Sequence, residues 1–160
     1  MKFKALLLTC NVPNKNGRIY TKESVQAEIE SELFLERLNT GSLFGEKGSP
    51  ADNNLSRQLS IDITKISHKF TKLYFEGDDL YGEGETLNTF SGRDLEELIK
   101  QNTPIEFALR GIGTLESTTY DDKPAYIVKD LKISTFDWVV SNSNYKKDFA
   151  TIITDEDNQK

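Results

Sequence analysis

One nine-residue stretch constrains the fold of this chain more than any other: residues 105–113, which read I-E-F-A-L-R-G-I-G. In its first half the apolar residues Ile105, Phe107 and Leu109 alternate with other residues, and this spacing predicts a strand with one buried face. The Arg-Gly-x-Gly half lets the backbone turn or approach another group closely, because glycine has no side chain in the way. A strand that ends like this can present a nucleophile and backbone N–H groups to an oxyanion. The residue at the expected nucleophile position, however, is Ala108, which has no lone pair and no proton to give.

Length and charge limit the classes of protein to which the chain can belong. Its 160 residues suffice for one domain with a sizeable core, which we place over residues 1–150, followed by an acidic C-terminal tail over 151–160. The net charge is -6 and lysine and arginine form no cluster, so we exclude nucleic-acid binding through a basic face. No apolar run approaches the ~20 residues needed to span a bilayer, and the single cysteine forms no internal disulfide. We therefore expect a protein made in the cytoplasm, with no membrane partner.

Hydrophobic periodicity predicts both helices and strands. Apolar residues four apart predict a helix over about 22–38, and Ser91 is a candidate N-cap for a second, short helix. Strand alternation begins at Leu59 and changes phase after Ile63, which predicts a bulge near residues 64–65 within one continuous strand.

Turn residues complete the predicted architecture. Hairpin turns are expected at residues 77–79 and 120–124, before a final strand pair from 125 to about 140. Many short strands with helices between them favour an α+β fold. Its sheet would be a small curved or closed, mostly antiparallel β-barrel with two or more surrounding helices.

The lone histidine, His68, lies on the same predicted strand face as Ile66 and Phe70. Because these neighbours are core residues, a buried structural histidine is favoured over a catalytic one, although both remain open. Ser67 is excluded as its nucleophile, since successive side chains of a strand point to opposite faces. The sequence has no phosphate-binding glycine loop, CxxC or HExxH motif, and no cluster with metal-ligand spacing. We therefore expect neither a metal nor a cofactor.

Six short segments form a recognisable series along the chain. They read N-G-R-I-Y at 16–20, G-E-K-G-S-P at 45–50, I-S-H at 66–68, G-E-G-E-T-L at 82–87, A-L-R-G-I-G at 108–113 and F-D-W-V at 136–139. In this order they resemble the prohead (capsid-maturation) serine proteases of tailed phages. That family carries N-G-R-x-Y-P, G-E-x-x-H-P, a hairpin, S-x-R-G-x-G and a late aspartate strand. The likeness spans about residues 14–143 and implies the small β-barrel with surrounding helices that the family shares with herpesvirus assembly proteases.

The resemblance also implies roles for particular positions, and the sequence departs from several of them. Ser49 stands where the family has its histidine base, and Ala108 stands where it has its serine nucleophile. Asp137 occupies the position where a third catalytic partner is expected. Asn142 replaces the family's proline after the aspartate strand.

These departures favour a pseudo-protease. Triad chemistry needs a nucleophile, a base to take its proton and a group to orient the base, and two of the three are missing. A laboratory inactivation would usually change one residue, so we interpret both replacements as natural. Arg110, Gly111 and Gly113 are then a vestigial oxyanion turn retained because it shapes the barrel, and His68 is a possible residual catalytic group.

Three functions remain open on the sequence. The first is a non-catalytic phage virion protein, best an auxiliary or decoration capsid subunit and next a transient scaffold or core component. Its partners would be the major capsid protein or copies of itself. The second is a capsid-maturation serine protease, either inactivated in the laboratory or using His68 in a shifted dyad. The third is a small host-directed binding module.

Overall fold

A computed structural model of the chain describes residues 1–51, 54–140 and 150–153. The described helices are α1 (Lys22–Ile29), α2 (Glu32–Asn39), α3 (Leu55–Gln58) and α4 (Phe90–Lys100). The described strands are β1 (Lys2–Thr9), β2 (Arg18–Ile19), β3 (Phe44–Glu46), β4 (Ile66–Glu76), β5 (Asp79–Thr86), β6 (Ile105–Tyr120), β7 (Lys123–Val140) and β8 (Thr151–Ile152). No helix in these ranges is long and apolar enough to cross a membrane.

The strands form two sheets, so the α+β class is confirmed but the closed barrel is wrong. One sheet has the order β3-β4-β5-β1-β8 with antiparallel neighbours, and the other has the order β2-β7-β6. The long β6 and β7 are antiparallel, whereas the short β2 runs parallel to β7. Between the sheets, the described backbone is joined at isolated points, where Gly48 N–H donates to Trp138 O and Ala150 N–H donates to Ile105 O.

Aromatic side chains, not a continuous ladder of backbone hydrogen bonds, hold the two sheets together. Phe3 of β1 stacks on Phe107 of β6, with ring centroids 5.2 Å apart. Phe70 of β4 lies edge-on to Phe107 at 5.4 Å and to Phe136 of β7 at 5.9 Å. All four rings are buried, and such pairs add about 0.5–1.5 kcal/mol each to the effect of burial. The predicted alternation is confirmed at Ile105 and Phe107, which face this core.

The predicted helix over 22–38 is two helices, because a second N-cap lies inside it. Ser31 has an extended backbone and its Oγ accepts from Phe34 N–H, which starts α2. At α4 the cap is Thr89, whose Oγ1 accepts from Gly92 N–H at 2.9 Å, and the prediction of Ser91 is wrong.

The strand predicted from Leu59 is also wrong, since β4 begins only at Ile66. The preceding segment gives its backbone hydrogen bonds to distant side chains instead of to a sheet. Ser60 O accepts from Arg110 Nη1 at 2.8 Å, and Asp62 N–H donates to Glu46 Oε2 at 3.0 Å. The register of β4 shifts between Ile66 and His68 against β3 and between Phe70 and Lys72 against β5, and not at residues 64–65.

The predicted turns differ in outcome. The hairpin between β4 and β5 is confirmed, and so is the turn after β6, where Asp121 and Asp122 have positive φ. The turn predicted at Arg-Gly-x-Gly is wrong, because β6 continues through it with two bulges. Gly111 instead lets the backbone of β6 lie close to that of β7, since a Cβ on Gly111 would lie 2.2 Å from Lys132 O. The predicted final strand pair is the single strand β7.

The predicted C-terminal tail begins inside the fold. Thr151 and Ile152 form β8, which pairs with β1 at the edge of the five-stranded sheet. Residues 154–160 of the tail and Asn142 lie outside the described residues.

Candidate functional site

Of the three positions that match the family's triad, two are paired across β6 and β7, and the third follows a residue that contacts β7. Ala108 of β6 is directly opposite Asp137 of β7 in the antiparallel register. The N–H of Gly48 donates to Trp138 O at 2.8 Å, so Ser49 follows one residue beyond a contact with the same strand. Ser49 is exposed, Ala108 is partly buried and Asp137 is fully buried.

Next to Ala108 the structure contains a buried cluster of charges centred on Arg110. The Arg110 side chain is 1% exposed, and its Nη2 lies 2.9 Å from Glu46 Oε2. Its Nε lies 3.0 Å from Asp137 Oδ2, without the alignment of a hydrogen bond. Arg57 forms the outer part of the cluster, with Nη2 2.6 Å from Glu46 Oε1. Two guanidinium groups therefore balance two carboxylates in the protein interior.

The two carboxylates of the cluster respond differently to their surroundings. Burial raises the pKa of Asp137 to about 6, against the opposing effects of Arg110 and of the Glu46 N–H that donates to its Oδ1. Burial acts in the same direction on Glu46, but hydrogen bonds from Arg57, the Asp62 N–H and Arg110 outweigh it and lower the pKa of Glu46 below its usual value.

The cluster shows what sequence reasoning found and missed. Arg110 was expected at an oxyanion turn, whereas the structure gives it an ion pair with Glu46 and Asp137. Glu46 stands out in the sequence only as part of the 45–50 motif, and its neighbours Lys47 and Ser49 give no sign that it is buried. Arg57 was missed, and no local pattern marks it, since its partner lies 11 positions earlier in the chain.

His68 is buried and hydrogen-bonded, as predicted for a structural histidine. Its Nε2 lies 2.8 Å from Phe136 O, a carbonyl that can only accept, so Nε2 carries the proton. Its Nδ1 then accepts from Ser67 Oγ at 2.8 Å. The prediction that the side chains of Ser67 and His68 point to opposite faces of the strand is therefore wrong. The register between β3 and β4 shifts at Gly45, which breaks the regular alternation of side chains, so the Ser67 hydroxyl reaches the ring. Both side chains are 0% exposed.

Burial also sets the charge of this histidine. Desolvation lowers the pKa of His68 from its usual 6.5 to about 4, although the hydrogen bond to Phe136 O acts in the opposite direction. A Cβ at Gly45 would lie 2.1 Å from His68 Nε2, so the ring fills the space that this glycine leaves. The imidazole is neutral at pH 7.

A pocket of about 660 Å³ lies beside the triad-matching positions. Its lining residues are Lys47, Gly48, Asp94, Glu97, Leu98, Trp138, Val139 and Val140. Lys47 Nζ and Asp94 Oδ2 form an exposed ion pair of 3.0 Å at its rim. The pocket therefore lies between the end of β7, the residues that follow β3, and α4.

Among residues 1–51, 54–140 and 150–153, no group of His, Cys, Asp and Glu is arranged to hold a metal ion. The expectation that the chain uses neither metal nor cofactor remains a prediction.

Comparison with models of known protein families identifies the family of this chain. The model of the peptidase S80 family matches residues 4–146, which is most of the chain. The chain belongs to the peptidase S80 family. This confirms the resemblance to the prohead proteases.

Structural similarity gives the same fold. The structure of the bacteriophage T4 capsid assembly protease, gp21, superposes with a TM-score of 0.74 at 22% sequence identity. The match covers 88% of this chain and 81% of that chain. No curated protein is similar enough to match.

The buried cluster predicts a large effect of removing Arg110. Arg110→Met leaves Glu46 and Asp137 without their shared buried cation, and we expect a loss of about 3–5 kcal/mol in the free energy of unfolding, measured in urea. Lys47→Met is the matched control, because it breaks an ion pair whose side chains are 51% and 56% exposed, and should lose less than about 1 kcal/mol. Equal losses in the two variants would contradict the assigned role of Arg110.

His68 predicts a pH dependence of stability. Between pH 6.5 and 4 the unfolded chain binds a proton at residue 68 that the folded chain does not, so the free energy of unfolding falls as the pH falls. The contribution is about 3 kcal/mol over this window. Asp137 acts in the opposite sense, because its raised pKa lets the folded chain bind a proton first.

The difference between the wild type and His68→Asn isolates the histidine from Asp137. We expect the variant to lose less stability than the wild type between pH 6.5 and 4, measured by urea unfolding at each pH. Parallel pH profiles for the two proteins would show that His68 is not held neutral by burial.

Proposed function

We propose that the chain is a non-catalytic structural protein of a phage virion, built on the prohead-protease fold. Its role is that of an auxiliary or decoration subunit of the capsid. Its partners are the major capsid protein, further copies of itself, or both. The protein is made in the cytoplasm of the bacterial host and resides in the capsid.

The observation that carries this proposal is the chemistry of the residues at the three positions that match the family's triad. Ala108 has no hydroxyl to attack a carbonyl, and Ser49 has no imidazole to take a proton. The remaining member, Asp137, has its Oδ1 occupied by the N–H of Glu46 and its charge matched by Arg110. Family membership supports a role connected with the capsid.

A second candidate is a protease that uses a shifted dyad, and one distance favours it. Ser67 Oγ lies 2.8 Å from His68 Nδ1, within the reach of a nucleophile and its base. Full burial of both side chains argues against it, since a peptide bond must reach the hydroxyl. If proteolysis of coat protein were detected and then lost in Ser67→Ala, this candidate would replace the first.

A transient scaffold or core assembly factor is present only in the prohead, whereas a decoration subunit is also present in the mature virion. Quantitative mass spectrometry of purified proheads and mature virions separates the two. We expect a fixed, high ratio of this chain to the major coat protein in mature particles. Presence in proheads alone would identify an assembly factor instead.

Restoring the nucleophile tests whether the site is inactive for the proposed reason. We expect Ala108→Ser to cleave no coat protein, because residue 49 still provides no base. The double variant Ala108→Ser with Ser49→His should recover a trace of cleavage, detected as new coat-protein termini by mass spectrometry. Substantial activity in the single variant would refute this account of the site.

A further inference from the structure

We propose that two copies of this chain pair along the outer edge of β6, over residues 114–120, as antiparallel strands related by a two-fold axis. This inference rests on the proposed function, which includes copies of the chain among the partners, and it names the surface through which they would meet. The pairing would join two three-stranded sheets edge to edge into one continuous sheet.

The first observation is a regular strand edge that has no partner strand. β6 is the outermost strand of its sheet, whose order is β2-β7-β6. Beyond its two bulges, the ladder with β7 is uninterrupted from Thr114, opposite Lys129, to Tyr120, opposite Lys123. No strand of the described ranges pairs with the other side of this stretch. Alternate N–H and C=O groups of β6 therefore face outward and can bond to another strand.

The second observation is that this edge lacks the features that keep exposed edges apart. Residues 114–120 read T-L-E-S-T-T-Y, with neither proline nor lysine, and threonine and tyrosine favour strands. The one charged residue, Glu116, is matched across the hairpin by Lys129, whose Nζ lies 3.6 Å from its Oε2. Leu115 is 50% exposed and Tyr120 is 41% exposed. The edge is thus accessible and carries no unmatched charge.

The third observation identifies the occupant, because this edge is complementary to itself. When the whole stretch pairs with a second copy, Ser117 lies opposite Ser117, and each larger side chain lies opposite a threonine of the other copy. Large side chains opposite β-branched ones stabilise a sheet. The three kinds of pair are Leu115 with Thr119, Glu116 with Thr118, and Tyr120 with Thr114.

Neighbouring registers are worse. An axis through residue 116 would place Glu116 directly opposite Glu116 of the second copy, and like charges in that position destabilise a sheet. An axis through residue 118 would place the apolar Leu115 opposite Asp121 and would leave Thr114 beyond the paired ladder. The axis through Ser117 is therefore the expected one.

Pairing about this axis gives a closed dimer. Each chain contributes its single β6 edge, and the two-fold axis uses both edges, so the assembly does not grow into a fibre. In an antiparallel ladder each hydrogen-bonded pair of residues exchanges two bonds, so the paired stretches form about six to eight backbone hydrogen bonds.

Sedimentation equilibrium of the full chain tests the association itself. We expect a monomer–dimer equilibrium with a dissociation constant on the order of 10 μM, because an interface confined to one strand edge is small. No larger species is expected. Amide hydrogen exchange should slow at alternate residues of 114–120 as the protein concentration rises, which locates the interface on this edge.

A charge exchange at residue 117 tests the register. Ser117→Lys and Ser117→Glu each place like charges directly opposite, and each variant alone should weaken the dimer by about tenfold or more. An equimolar mixture of the two should dimerise about as tightly as the wild type, because a lysine then faces a glutamate. Recovery on mixing also shows that both variants fold.

The matched control places a charge on the edge of the other sheet. Thr151→Glu adds the same charge as Ser117→Glu at an exposed residue of β8, opposite Lys4 of β1. It should leave the dissociation constant unchanged, because β8 takes no part in the proposed interface. An equal weakening by Thr151→Glu and Ser117→Glu would overturn the inference.

The remaining contrary outcomes are distinct from a failure of the proposed function. A chain that stays monomeric at about 1 mM, or a mixture of the two residue-117 variants that dimerises no better than either alone, would overturn the dimer. The function would then stand with the major capsid protein as partner. Absence of the chain from virions would instead refute the function and leave the dimer in place.

Discussion

The ion cluster around Arg110 is the interaction on which the rest of the molecule depends. Its ion pairs join α3 to β3, β3 to β6 and β6 to β7, so separating either element of any of these pairs leaves an unmatched charge in the interior. The same cluster fixes where Ala108 lies relative to Asp137. Residue 108 takes no part in the cluster, and a serine or an alanine there leaves these ion pairs intact. The ion pairs that hold this part of β6 in place are thus independent of the residue at position 108.

The sequence was most informative where local pattern decides the structure. Alternation predicted the burial of Ile105 and Phe107, and turn residues located the two hairpins. It failed where distant side chains decide the structure. Leu59 and Ile63 have the spacing of a strand, yet the backbone of that segment hydrogen-bonds to the side chains of Arg110 and Glu46 instead of to a neighbouring strand. These two residues are too far apart in the sequence for a local pattern to reveal their pairing.

The candidate site shows the same division. Motif resemblance singled out positions 49, 108 and 137, and the structure pairs Ala108 with Asp137 and puts Gly48, the neighbour of Ser49, against Trp138. It could not reveal that Ser67 reaches His68, because a register shift between neighbouring strands overrides the alternation of side chains. Nor could it reveal the pocket, whose walls come from three separate parts of the chain: the residues after β3, α4 and the end of β7.

The few backbone bonds between the two sheets have a consequence for the order of folding. The β4–β5 and β6–β7 hairpins close over short loops and can form early, within microseconds. Glu46 and Asp137, in contrast, are 91 positions apart, so the cluster forms only when the completed sheets dock. Docking over such a separation is slow. Until it occurs, Phe3, Phe70 and Phe107 remain open to water, and the chain is at its most prone to self-association during this interval.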